Sequence, residues 1–134
     1  MAVQYSVDVR NEMLNAIETA IGVSAVLKIR SGAQPATCAT ADSGTVLVSY
    51  TLASDWAAAA SSGSKAFNAV SSTTAATGGT AGHYRIYAAD GTTCHEQGAI
   101  TATGGGGDMT VDNVIIESGQ TVNVTGFTKT MGGA

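Results

Sequence analysis

Residues 83–103 read HYRIYAADGTTCHEQGAITAT, two arms of mixed apolar and polar residues on either side of Asp90-Gly91. An Asp-Gly pair supplies the positive φ that a tight reversal needs, and strand-like arms flanking it make a β-hairpin. A three-residue turn ending on Gly91 would pair residue 88 with 92, setting Arg85 opposite His95 and Ile86 opposite Cys94. That register turns Arg85, Tyr87 and His95 outward and Tyr84, Ile86 and Cys94 inward. A two-residue turn would instead set Arg85 against Glu96, and the two registers present different faces to the core.

The same short period extends outward from the hairpin. In residues 25–30, AVLKIR, Leu27 and Ile29 fall on the inner face and Lys28 and Arg30 on the outer one. Residues 45–52, TVLVSYTL, form a second strand. Between them SGAQPATCATADSG, 31–44, is a loop carrying the only proline, Pro35. Trp56 heads SDWAAAASSGSKA, 54–66, a helical turn or loop; residues 65–72 are a weak strand and SSTTAATGGTAG, 71–82, is linker-like. Downstream of the hairpin come the glycine run 104–107, a strand over Asp108–Ile116, a turn at Ser118-Gly119 and a strand over Gln120–Lys129. Gly126 interrupts the alternation of Val122, Val124 and Phe127, which predicts a bulge. About seven or eight short strands with no helix between them exclude βαβ units and favour a sandwich or barrel.

A helical period occurs once, in VDVRNEMLNAIETAI at 7–21. Val7, Leu14, Ile17 and Ile21 make an apolar stripe flanked by Met13 and Ala20, with Arg10, Asn11, Asn15, Glu18 and Thr19 on the other side. Ser6 is the expected N-cap, Asp8 suits the positive end of the helix dipole, and Gly22 is placed to end the helix. The expected organisation is a single domain over 1–134: a helical segment at 1–22, a β sandwich over 23–130 and a flexible tail at 131–134.

Composition narrows the function classes. The 134 residues are 44% apolar, only 12% charged and 5% aromatic, with a formal charge of −4 and six Lys and Arg scattered singly. Such a chain has no basic stripe for a phosphate backbone, so nucleic acid is not an expected partner. No apolar run reaches the roughly 20 residues that span a bilayer, so no membrane is expected either. MAVQYSVDVRNE lacks a basic stretch followed by an apolar one, which points to use in the cytoplasm where the chain is made. Cys38 and Cys94 are accordingly expected as reduced, separate thiols, since a bridge needs them to meet in space.

Catalytic and metal patterns are weak. His83, His95, Cys38 and Cys94 are zinc-type ligands, but no C-x-x-C or H-x-x-x-H pair pre-organises half a site. Cys94 and His95 are neighbours on a strand and point to opposite faces, which separates thiol from imidazole. Serines are abundant without a G-x-S-x-G elbow. Gly104–Gly107 is followed by Asp108-Met109-Thr110-Val111 rather than by Lys and a helix, so it reads as a flexible loop tip. Asp90, Asp108 and Asp112 sit at loop ends without EF-hand spacing. Asn123-Val124-Thr125 matches a glycosylation sequon, but lacks the secretory route that would use it. No catalytic, cofactor-binding or metal-ligating residue is expected.

Four stretches, AVQYSVDVRNEMLNAIETAIG at 2–22, LKIRSGAQPATC at 27–38, GTAGHYRIYAADGTTCHEQG at 79–98 and TATGGGGDMTVDN at 101–113, resemble a family of small tailed-bacteriophage structural proteins. The resemblance spans Ala2 to Thr130. It implies a non-enzymatic capsid cement or decoration protein: an antiparallel jelly-roll-like sandwich on the outer surface of the head, synthesised in the bacterial cytoplasm. Its implied partners are the phage major capsid protein and further copies of itself. Trp56 and the helix stripe are the expected apolar area for a partner. The alternatives are a tail, neck or fibre adaptor, or a host-surface carbohydrate-binding module, for which the aromatics are few.

Overall fold

The computed structural model describes residues 3–133. The chain runs α1 (Val7–Ile21), β1 (Val26–Ser31), β2 (Val46–Thr51), β3 (Ser64–Ala66), β4 (Thr73–Thr74), β5 (Gly79–Tyr87), β6 (Cys94–Ala102), β7 (Met109–Val111), β8 (Ile115–Ile116), β9 (Thr121–Val122) and β10 (Val124–Thr130). It is mainly β with one helix at its N-terminal end, as the sequence predicts.

The deciding hairpin is β5–β6; beside the turn it follows the two-residue alternative, with Tyr87 opposite Cys94, and beyond a bulge it follows neither expected register. Asp90 caps the turn by accepting from the backbone N–H of Thr92 and of Thr93, each at 2.9 Å, and Ala88 N–H closes on the Thr93 carbonyl. Residue 88 therefore meets 93 rather than 92. The ladder then pairs Tyr87 with Cys94, and next Ile86 with Glu96, Arg85 with Gln97 and Tyr84 with Gly98, leaving His95 as the extra residue of a bulge. The carboxylate cap lengthens the loop, and the bulge absorbs the mismatch.

Most strands lie on one path, β2-β1-β5-β6-β7-β10-β3; β8 pairs the opposite end of β5, and β4–β9 form a small second sheet. All these pairs are antiparallel except β6–β7, where Ile100 pairs with Met109 and Ala102 with Val111 in parallel. A parallel neighbour normally needs a crossover of a dozen residues or more. Here residues 103–108 manage it because glycines let the loop fold flat on the strand it leaves. Gly105 N–H bonds the Ala102 carbonyl and Gly107 N–H the Thr101 hydroxyl; a Cβ at Gly107 would lie 2.9 Å from Thr101 N. The glycine run is thus a packed reversal, not a loop tip. The strand expected over Asp108–Ile116 divides into β7 and β8, and that over Gln120–Lys129 into β9 and β10, with the bulge at Gly126 where expected. The linker-like 71–82 stretch contributes β4 and the start of β5.

One core unites these pieces. Leu27, Ile29, Leu47, Tyr50, Tyr84, Ile86, Met109, Val111, Val122 and Phe127 belong to a single buried cluster. The arrangement is sandwich-like, and the Tyr50 hydroxyl ties β2 to β9 by donating to the Val122 carbonyl at 2.8 Å. Trp56, expected as partner-facing, is buried there: its indole N–H donates to Gly22 O at 3.0 Å and its ring lies 4.7 Å from Phe67.

The helix has the expected bounds and Ser6 cap, whose hydroxyl accepts from Val9 N–H. Leu14 and Ile21 are buried and Ile17 packs on the core, whereas Val7 is exposed. Its polar row is not solvated as expected. Asn11, Asn15 and Glu18 accept from the backbone N–H of Gly63, Ala60 and Ala57, and Lys65 bonds both Asn15 and Glu18. Three carbonyl-type oxygens at i, i+4 and i+7 replace a neighbouring strand for a stretch read as a helical turn or loop. Downstream, Met131 N–H bonds Gly63 O and Gly133 O accepts from Tyr5 N–H. Ala134 lies outside the described residues. Among them no helix is long and apolar enough to cross a membrane.

Candidate functional site

The outer face of β1, β5 and β6 is roofed by the loop between β1 and β2, and the joint is charged. Arg30, Arg85 and Tyr87 are buried, although Arg30, Arg85 and Tyr87 were all expected to face outward. Asp42 from the loop meets all three. Its Oδ1 accepts from Arg85 Nη1 at 2.6 Å and the Tyr87 hydroxyl at 2.7 Å, and its Oδ2 from Arg30 Nη2 at 2.9 Å. Burial alone would raise the Asp42 carboxyl, but the Tyr87 hydroxyl and the two guanidinium groups outweigh it and hold the pKa below the usual range. Arg85 Nη2 also donates to the carbonyls of Thr37 and Thr40, and Gln97 Nε2 to that of Pro35. His83 is buried and donates from Nδ1 to Gly32 O at 2.9 Å. Asp42, Arg30, Arg85 and Tyr87 are occupied by one another, whereas His83 Nε2 is buried without a hydrogen-bond partner.

Cys38 and Cys94 both lie at this joint, Cys38 in the 37–40 turn that Arg85 holds and Cys94 opposite Tyr87. Both thiols are free and partly exposed. Burial, followed by hydrogen bonding with Cys38, pushes Cys94 up to about 11, and Cys94 Sγ donates to the Glu96 carbonyl. Expected as thiols far apart, they are brought to the same joint.

A cleft of about 370 Å³ opens between the helix, β6 and β10. In it the Tyr84 hydroxyl donates to Glu96 Oε2 at 2.8 Å, and Lys129 pairs with the same oxygen while lying 4.4 Å from the Phe127 ring centroid. Burial and the Glu96 charge push the Tyr84 phenol far above its ordinary value, so it stays protonated. These groups brace the helix-facing end of the sheet, and the phenol is unsuited to act as a base at neutral pH.

The remaining feature lies on the outside. Large apolar side chains exposed among the described residues are Val3, Tyr5, Val7, Val9, Met13, Val23 and Ile115, between 38% and 70% exposed. Five of these seven lie within residues 3–13, at the N-terminal end of the chain. On α1 the exposed Val9, Met13, Ala16 and Ala20 recur at spacings of four, three and four, which puts them along one face. The other two faces of α1 are taken, one by the core and one by the 57–65 backbone. The sequence shows Met13 and Ala20 only as flanks of the inner stripe, because a helical wheel cannot reveal that the polar row would be buried too. This apolar face is the candidate functional site.

The residues singled out for chemistry are dispersed. His95 is exposed in the bulge. Asp108 accepts from Ala99 N–H, Asp112 from Asn123, and Asp90 caps its turn, with Thr93 first and then the Thr92 N–H lowering Asp90 to about 2. Among the described residues no group of three His, Cys, Asp or Glu is placed to hold a metal ion. No protein-family model, curated protein or solved structure matches the chain.

Proposed function

We propose that this chain is a virion structural protein of a tailed phage, a cement or decoration protein that binds the major capsid protein on the outside of the head in many copies. The observation that carries the reading is the outward apolar face of α1, Val9, Met13, Ala16 and Ala20. A concentrated apolar patch on an otherwise well-packed domain is a mark of an interaction surface, because covering it removes that area from water. The bonds from Asn11, Asn15 and Glu18 to the 57–65 segment seat the helix and fix the direction of this face, so docking loses little conformational entropy.

A ligand that binds only the assembled shell stabilises it by RT ln(1 + [L]/Kd), about 2.7 kcal/mol per site at a hundredfold excess over Kd. Summed over a lattice, modest contacts then resist the pressure of packaged DNA, and association between copies adds avidity. The carbohydrate-binding alternative is disfavoured because Trp56, Tyr50, Tyr84, Tyr87 and Phe127 are in the interior rather than in an exposed row. The tail, neck or fibre adaptor uses the same face, and copy number separates it from the head. Quantitative mass spectrometry of purified particles should find on the order of hundreds of copies per particle on this reading. About a dozen or fewer would move the chain to the tail.

A further inference from the structure

The roofing loop and β6 each present one thiol to the other, and the geometry holds both in place. Cys38 lies inside a short turn closed by Thr40 N–H on the Thr37 carbonyl and by the facing Thr37 and Thr40 hydroxyls. Arg85 grips that turn at both ends through the Thr37 and Thr40 carbonyls, at 2.9 and 3.0 Å. Cys94 is the first residue of β6, paired with Tyr87 beside the His95 bulge. Both cysteines therefore lie at one cluster, Cys38 in the turn that Arg85 holds and Cys94 opposite Tyr87, with Arg85 and Tyr87 joined through Asp42; both are partly open to solvent. We propose that Cys38 and Cys94 form an oxidation site: a disulfide between them clasps the loop to the sheet edge when the protein meets a disulfide oxidant.

The chemistry balances with a small-molecule disulfide such as oxidised glutathione. The Cys38 thiolate attacks one sulfur of the oxidant, forming a mixed disulfide and releasing one glutathione thiolate. Cys94 then gives its proton to solvent and attacks Cys38 Sγ, expelling the second glutathione thiolate. Two protein thiols are oxidised by two electrons and one glutathione disulfide is reduced to two thiols. Because burial raises the Cys94 thiol to about 11, the second step quickens as pH rises. Closing a long loop between two segments already held at one joint constrains the unfolded chain.

The test treats the folded, reduced chain with oxidised glutathione at several pH values, then alkylates, and reads intact mass and peptides without reductant. The expected result is a loss of two hydrogens, a linked Cys38–Cys94 peptide pair, faster closure at higher pH and a melting temperature several degrees higher. Dithiothreitol should reverse all of these, while C38S and C94S should stop at a glutathione adduct. Two freely alkylated thiols, persistent adducts on both cysteines, chain-to-chain dimers, or a bridge that leaves the melting temperature unchanged would each overturn the clasp.

Discussion

Arg85 Nη1 lies 2.6 Å from Asp42 Oδ1, joining β5 near its C-terminal end to the loop that follows β1, its neighbour in the sheet. Arg85 is 2% exposed while the Asp42 side chain is 39% exposed, so the carboxylate is the solvent-facing half of a pair whose cation is buried. Removing the carboxylate would leave two buried guanidinium groups and a tyrosine hydroxyl without their shared acceptor. Asp42→Ala should therefore cost roughly 3 kcal/mol, toward the low end for a broken buried pair because water reaches the carboxylate side. Urea unfolding measures it, and a loss under about 0.5 kcal/mol, the size of an ordinary surface change, would reduce the clamp to a surface contact.

The same pair gives a pH dependence of known sign. The folded Asp42 carboxyl titrates below its ordinary value, so its contribution is present above the unfolded pKa, near 4, and disappears as pH falls through the folded one. Between neutral pH and about 5 stability should be flat with respect to this group. Below about 4 it should fall more steeply in the native protein than in Asp42→Asn. Equal acid slopes in the two proteins would remove Asp42 from the account.

Leu14 links the helix to the sheet, and at 1% exposure it has no room to lose volume quietly. Leu14→Ala should destabilise by about 2–5 kcal/mol, read from chemical unfolding monitored by Trp56 fluorescence. Met13→Ala, on the exposed face one residue away, should change stability by no more than about 0.5 kcal/mol.

Gly82 marks where β5 passes closest to another backbone. A Cβ there would sit 2.1 Å from the Gly32 carbonyl oxygen, at the point where the β1–β5 register shifts between Arg30 and Ser31. Gly82→Ala forces the two strands apart and should cost roughly 1–3 kcal/mol, as overpacking does. Thermal melting of the variant checks it.

What the sequence made legible follows from what is local. The helix at 7–21, its Ser6 cap, the strand around Leu27 and Ile29 and the Gly126 bulge all depend on neighbours within a few residues. The hairpin register was not legible, because it turns on the Asp90 carboxylate capping two backbone N–H groups and adding a residue to the loop. Arg30, Arg85 and Tyr87 read as outward because alternation tells the two faces of a strand apart, but not whether a distant loop will cover the polar one. The parallel β6–β7 pair escaped notice because a run of glycines looks the same in a loose tip and in a tight reversal. The outward face of α1 was hidden by the burial of Asn11, Asn15 and Glu18 against Gly63, Ala60 and Ala57.

The central claim is that this outward face of α1 is a docking surface for a phage head. Heads of the phage that encodes the chain, prepared without it, would be titrated with purified protein and with Val9→Asp/Met13→Asp, both first shown to melt alike. The account predicts saturable binding of the native chain at on the order of hundreds of copies per head, with restored retention of DNA on heating, and at least tenfold weaker binding by the double variant. Failure of the native chain to bind heads at all, or equal binding by a folded double variant, would contradict it.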